Sequence, residues 1–224
     1  MTATALSTDC STDRAMDCPT QLRIALFGTS ADPPHQGHGA ILAWLATQFD
    51  YVAVWTANNP FKDHQTDLGD RRRMLELLID ELDAPGGQVQ VHPELSHMRT
   101  VVTLERARQI WPGAEFSLVV GADLVEQLPT WQRAEEIFAA VSLLVIPRPG
   151  YDLSDASLAP LRQRTAVTVA EMPAIDVSSS RYRQCDNPQN HPDAPGLTSA
   201  VQAYITQHHL YPCPQTSTDP LPTP

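Results

Sequence analysis

The stretch GTSADPPHQGH, Gly28 to His38, follows directly on the apolar run LRIALF at Leu22–Phe27. A short apolar run that ends in glycine is the pattern of a strand buried on both faces. After it come Thr29, Ser30 and Asp32, then two prolines, then His35 and His38 with Gln36 and Gly37 between them. The residues that follow, GAILAWLATQF, carry Ile41, Leu42, Leu45 and Phe49 at helical spacing. The two histidines therefore stand at a predicted helix start, on one edge of it. Taken alone, the stretch is a Pro-rich turn with two solvated imidazoles. Its place between a first strand and a first helix makes it a candidate phosphate site. Gly37 lets the backbone come close to a ligand, and the helix start supplies N–H groups and partial positive charge. Hydroxyls and imidazoles would converge on the same anionic oxygens. It is neither the G-x-G-x-x-G nor the G-x-x-x-x-G-K-[ST] phosphate motif.

Working outward, the alternation continues. DYVAVWTA, QVQVH, EFSLVVG and VSLLVIP read as further strands, and DRRRMLELLIDEL, TVVTLERARQIW and WQRAEEIFAA as helices, the first of them opening on Asp70 as a cap. Pro149 to Arg164 is the least regular segment, and TSAVQAYITQHHL reads as a closing helix. Strands separated by helices of this length predict the α/β class, with one Rossmann-like, doubly wound parallel sheet. Such sheets bind ligands beyond the carboxyl ends of their strands, here the loops starting GTS, TANNP, HPE, GAD and PRPG.

The sequence predicts one domain over residues 21–212, with disordered tails at 1–20 and 213–224 that are rich in Ser, Thr, Asp and Pro. With 224 residues and 42% hydrophobic content there is enough apolar surface for a core. A formal charge of −11 argues against a surface that tracks nucleic acid, but not against a small anionic substrate held by a few local cations. No apolar run has membrane-spanning length, and the first residues lack a basic leader and an apolar stretch, so the expectation is a cytoplasmic protein with no membrane partner. Cys10, Cys18, Cys185 and Cys213 form no CxxC pair and predict neither a zinc site nor a disulfide framework.

Several other residues carry two readings. Asp123, after a buried strand, can accept ribose hydroxyls or simply cap a helix. Trp131 can stack on a planar ring or pack at the rim of the core. Ser178 and Ser179 can cap a helix, and with Arg183 one turn on they also make a phosphate clamp. Arg72 and Arg73 read as a solvated basic edge.

GTSADPPHQGH resembles the signature of the HxGH-type nucleotidyltransferases, G-G/S-S/T-F-D-P-x-H-x-G-H, with Ala31 where phenylalanine is usual. NPFKDHQTDLGDRRRML is similar to the P-P-H-K and R-x-x-M-L segment of bacterial nicotinate-nucleotide adenylyltransferases, matching at Lys62 and Arg71 and departing at Asn59 and Phe61. RTVVTL resembles Y-T-x-D-T-L at Thr100, Thr103 and Leu104, with Arg99 and Val102 in place of Tyr and Asp. GADLVEQLPTW resembles G-x-D-x(7)-W at Gly121, Asp123 and Trp131, and RPGY follows at Arg148. VSSSRYR resembles I-S-S-T-x-I-R at Ser178, Ser179 and Arg183, and YITQHHLY resembles the ending Y-I-x(4)-L-Y. The resemblance runs in order from Leu22 to Tyr211.

It implies adenylyl transfer from ATP to nicotinate mononucleotide in NAD biosynthesis, on a nucleotidyltransferase-type sheet. His35, His38, Lys62 and Arg183 are implied to be catalytic. ATP would meet Gly28, Thr29, Ser30, Gly121, Asp123, Ser178 and Ser179 beside the two histidines and Arg183. The mononucleotide would meet Ser30, Lys62, Arg71, Trp131 and main-chain N–H groups near Thr100 and Gln132. Mg²⁺ would arrive with ATP, without a dedicated protein cage. The alternatives are transfer to nicotinamide mononucleotide or phosphopantetheine, and a non-catalytic nucleotide sensor. A homo-oligomer is compatible with the sequence but not legible in it.

Overall fold

The computed structural model describes residues 21–58, 66–82, 84, 86–173, 179–183 and 196–211. The expected tails, Lys62, Ser178, the departures at Asn59 and Phe61, and all four cysteines lie outside them. Six strands form one all-parallel sheet: β1 (Arg23–Thr29), β2 (Tyr51–Thr56), β3 (Val89–Val91), β4 (Glu115–Gly121), β5 (Ser142–Ile146) and β6 (Val167–Val169). Their order is β3-β2-β1-β4-β5-β6. The chain leaves β1 toward β2 on one side and returns to β4 on the other, so the direction of winding reverses between β1 and β4. That reversal opens a crevice at the carboxyl ends of these two strands.

The apolar run at Ile24–Phe27 is contiguous because both of its faces are covered. Ile24 and Leu26 belong to one core layer and Ala25 and Phe27 to the other. The first layer is closed by α3 (Thr100–Ile110), α4 (Ala134–Ala140) and α5 (Asp155–Arg162) through Leu104, Ala107, Ile137, Phe138, Leu158 and Leu161. The second is closed by α1 (Gln36–Gln48), α2 (Leu68–Asp80) and α7 (Ser199–Gln207) through Leu42, Leu45, Met74, Leu75, Leu78, Val201 and Ile205. A short helix, α6 (Ser179–Arg183), precedes α7. Among the described residues no helix is long and apolar enough to cross a membrane.

Three local expectations are corrected, and one strand had no signal in the sequence. Pro149–Arg164 is not irregular: it holds α5, capped by Ser154, whose hydroxyl accepts from the Ser157 N–H at 3.4 Å. Pro160 inside that helix, and the mere pair Leu158 and Leu161 facing inward, hid its periodicity. The edge strand β6 is three residues long, too short for a pattern to show. Helix α2 is capped by Asp67, not Asp70: the Gly69 N–H donates to Asp67 Oδ1 at 2.7 Å. Asp70 instead accepts from Tyr204 Oη at 2.9 Å and ties α2 to α7. Finally, α4 begins at Ala134 rather than Trp131, because Arg133 takes a left-handed conformation (φ 58°) that breaks the run.

Candidate active site

The loop from β1 to α1 sits at the crevice. The solvated-turn reading fails here, since every residue from Ala31 to His35 is buried. Ala31, fully buried at φ 46°, takes a conformation that costs a side-chain-bearing residue energy. Its N–H donates to Thr29 Oγ1 at 3.3 Å, within the loop itself. His35 is the N-cap of α1, and His38 lies one turn inside, with ring centroids 3.9 Å apart and planes tilted by 45°. The His35 N–H donates to His38 Nδ1 at 3.2 Å, which leaves the His38 ring proton on Nε2. His35 Nδ1 is buried and has no hydrogen-bond partner.

Burial is the main force on both imidazoles. It pulls His35 down to about 4, with the Arg148 charge adding to the effect. Burial, then His35, then Arg148 hold His38 well below the usual imidazole range. At pH 7 the folded protein therefore holds both imidazoles neutral. The helix start is also partly engaged, since the Gln36 N–H donates to Gly196 O at 2.5 Å.

Close neighbours cover both glycines at the crevice. A Cβ on Gly28 would lie 2.5 Å from Trp55 Cζ2, so the β1 end must be bare for that indole to cross it. A Cβ on Gly121 would lie 2.3 Å from Asp123 Oδ1, so the carboxylate folds back over the end of β4. There Asp123 Oδ2 pairs with Arg148 Nη1 at 3.1 Å, an arginine beyond the end of β5 whose charge acts on both histidines.

Arg71 is 3% exposed and donates to three carbonyls: Nε to Thr66 O at 2.9 Å, and Nη1 to Ser30 O and Ala57 O at 3.0 Å each. It thereby pins the segments that leave β1 and β2 to the start of α2. Burial pulls its guanidinium below the ordinary range, while Asp32, Tyr211 and Asp67 push the other way. Ser179 Oγ donates to Pro33 O at 2.8 Å. Arg183 Nη1 donates to Asp32 O in a short bond and lies 3.8 Å from Asp32 Oδ2. The fold therefore draws Ser179, Arg183 and Arg71 onto the loop that holds Ser30 and the histidines.

Thr100 is the first residue of α3, so its N–H has no helical acceptor. Arg99, the N-cap, is exposed. Trp131 closes a one-turn 3-10 helix (Leu128–Thr130) and packs against the core while keeping partial exposure; Gln132 beside it is exposed. Arg133 Nη1 pairs with Glu105 Oε1 at 3.1 Å and joins this segment to α3. Among the described residues no group of three His, Cys, Asp or Glu side chains converges to hold a metal ion.

Three residues of this region were not assigned by sequence reasoning. Arg148 was matched only as a motif letter, Asp32 only as a turn former, and Tyr211 only as part of an ending. Tyr211 Oη donates to Asp32 Oδ1 at 2.7 Å across 179 positions, a pairing no local pattern can signal.

A family model described as cytidylyltransferase-like matches residues 26–185. A probable nicotinate-nucleotide adenylyltransferase of Synechocystis sp. is 44% identical over 205 residues, spanning 85% of this chain and 99% of the relative. One from Bacillus pumilus is 32% identical over 197 residues, spanning 84% of this chain and 98% of that relative. Among solved structures, Plasmodium falciparum nicotinic acid mononucleotide adenylyltransferase complexed with NaAD superposes with a TM-score of 0.74 at 18% identity, over 85% of this chain and 98% of that one. At that identity the likeness speaks for the fold.

Proposed function

Since the chain belongs to the cytidylyltransferase-like family and to the nicotinate-nucleotide adenylyltransferases within it, we propose that it transfers the adenylyl group of ATP to nicotinate mononucleotide. The products are nicotinate adenine dinucleotide and pyrophosphate, a step of NAD biosynthesis set in the cytoplasm. The observation that carries this reading is the buried, neutral His35–His38 pair on the β1–α1 loop at the sheet's winding reversal.

The acceptor phosphate is already an anion and needs no general base. Its oxygen bonds to the α-phosphorus of ATP as the bond from that phosphorus to the β-phosphate oxygen breaks, and pyrophosphate leaves with the electron pair. The protein's work is alignment and charge neutralisation. His38 would donate from Nε2 to a phosphate oxygen, and His35 would meet the same anion from the N-cap. In a water-poor crevice such donors act more strongly than in water. Lys62 and Arg183 would neutralise the leaving pyrophosphate, with Ser178 and Ser179 as further donors. Asp123 would accept the ATP ribose hydroxyls beside Gly121. Trp131 would stack on the pyridine ring, and N–H groups near Thr100 and Gln132 would receive the nicotinate carboxylate. Mg²⁺ enters as part of the ATP substrate, held by phosphate oxygens and water.

The acid-selective half of this reading is tested by kcat/KM for nicotinate against nicotinamide mononucleotide. The expected result favours the acid by at least about tenfold, because main-chain donors discriminate a carboxylate from a carboxamide by charge-assisted hydrogen bonds. Equal values, or an excess for the amide, would overturn it.

A further inference from the structure

Asp32 is 1% exposed and lies three residues before His35. Its Oδ1 accepts from Tyr211 Oη at 2.7 Å, while its Oδ2 is buried without a hydrogen-bond partner, 3.8 Å from Arg183 Nη1. Arg183 is bound to the Asp32 carbonyl by that same nitrogen and to Ser180 Oγ by Nη2 at 3.3 Å, yet a third of its side chain is exposed. The Tyr211 ring stands edge-on to Tyr182 of α6 at 5.6 Å, so one residue grips both the phosphate loop and the helix that carries Arg183. The chain is bent to bring it there. His209 (φ 51°) ends α7 with the Leu210 N–H on Ile205 O at 3.1 Å, and Tyr211 itself follows at φ 57°. A bulky residue held in the left-handed region marks a position that the surrounding contacts over-determine.

We infer that Tyr211 is a positioning residue for ATP: its hydroxyl keeps the buried Asp32 carboxylate satisfied, so that Arg183 can turn from Asp32 to the triphosphate. The inference rests on the reading that Arg183 meets ATP phosphates. A carboxylate this buried cannot lose its donors without a large desolvation cost. Two groups face it closely, Arg183 as a cation and Tyr211 as a neutral donor, with the Arg71 charge farther off. A triphosphate competes for the cation and leaves a phenol where it is. With Tyr211 in place, Asp32 keeps a second partner and Arg183 can leave; without it, Asp32 holds Arg183 back.

The test is calorimetric binding of Mg·ATP to the full-length protein. Tyr211→Phe keeps the ring against Tyr182 and removes only the hydroxyl. Its Kd for Mg·ATP is expected to rise about tenfold, with nicotinate mononucleotide affinity within about twofold of wild type. In an Arg183→Ala background the same change is expected to add less than about twofold, because its route to ATP is gone. Asp32→Asn combined with Tyr211→Phe is expected to recover ATP affinity to within about threefold of wild type, since an amide needs no counter-charge. An unchanged Kd in Tyr211→Phe, a full tenfold loss without Arg183, equal loss for both ligands, or no recovery when Asp32→Asn is added would each overturn the inference. ATP binding is read apart from turnover. A wild-type protein that binds ATP yet makes no dinucleotide would refute the proposed reaction and leave this result standing.

Discussion

Replacing Arg71 with methionine separates a residue that builds the site from one that touches substrate. The side chain would keep much of its length and lose all three bonds, to Thr66 O at 2.9 Å and to Ser30 O and Ala57 O at 3.0 Å. A hydrogen bond to a charged group contributes roughly 1.5–3 kcal/mol net. Two of these bonds share one nitrogen, and removing a buried cation also relieves its desolvation, so the three do not add. A loss of about 3 kcal/mol is expected, which in a chain of this size lowers Tm by roughly 6–12 °C. Ser30 would lose its tether a few residues before the histidines, so kcat/KM should fall at least about tenfold for both substrates. Arg71→Lys keeps the charge but not the fork and should lie between the two. Thermal unfolding followed by dye fluorescence, with steady-state kinetics on the same preparations, reads both effects. If Arg71→Met melted within about 1 °C of wild type and raised only the mononucleotide KM, the reasoning would be refuted and Arg71 would be a substrate contact.

The histidine pair makes stability fall with acid. The unfolded chain binds a proton near 6.5 while folded His35 resists it down to about 4, so stability is full above 6.5 and declines as pH drops through that window. His35 alone should cost roughly 2 kcal/mol between pH 7 and pH 5, with His38 acting in the same direction. Urea unfolding at the two pH values should show a shallower loss in His35→Asn, and an identical loss would contradict the assignment. Gly28→Ala puts a methyl 2.5 Å from Trp55 Cζ2 and should destabilise by about 2 kcal/mol, largely recovered by Trp55→Phe in the same denaturation assay. His38→Ala should lower kcat about 10²–10³-fold in pyrophosphate release, and near-normal turnover would remove the pair from the chemistry.

The fold was legible because its signals are local and repeated. Apolar runs such as Ile24–Phe27 and Leu118–Val120 can be contiguous only where a sheet is covered on both faces, and β1, β4 and β5 obey that rule. Elements with weak local signals escaped. Helix α5 carries Pro160 in its last turn, β6 is three residues long, and the positive φ of Arg133 moved the start of α4. In the candidate site, motif order picked out His35, His38, Asp123, Ser179 and Arg183, and the fold sets Ser179 and Arg183 of α6 onto the β1–α1 loop that carries the histidines. Burial of the loop was not legible, and with it went the protonation state of the histidines. The sequence shows a polar, Pro-rich turn, whereas the fold packs α6 and Tyr211 onto it. The Tyr211–Asp32 bond and the Arg148–Asp123 pair are products of topology, which joins strands and termini that no window of sequence contains.

The most direct test of adenylyl transfer at this crevice is product stoichiometry. Full-length protein, Mg²⁺, ATP and nicotinate mononucleotide are combined, and the dinucleotide and pyrophosphate are measured together. Adenylyl transfer requires the two to appear one for one, at a rate that collapses in His38→Ala. ATP binding without turnover, or pyrophosphate release that needs phosphopantetheine rather than the pyridine mononucleotide, would contradict it.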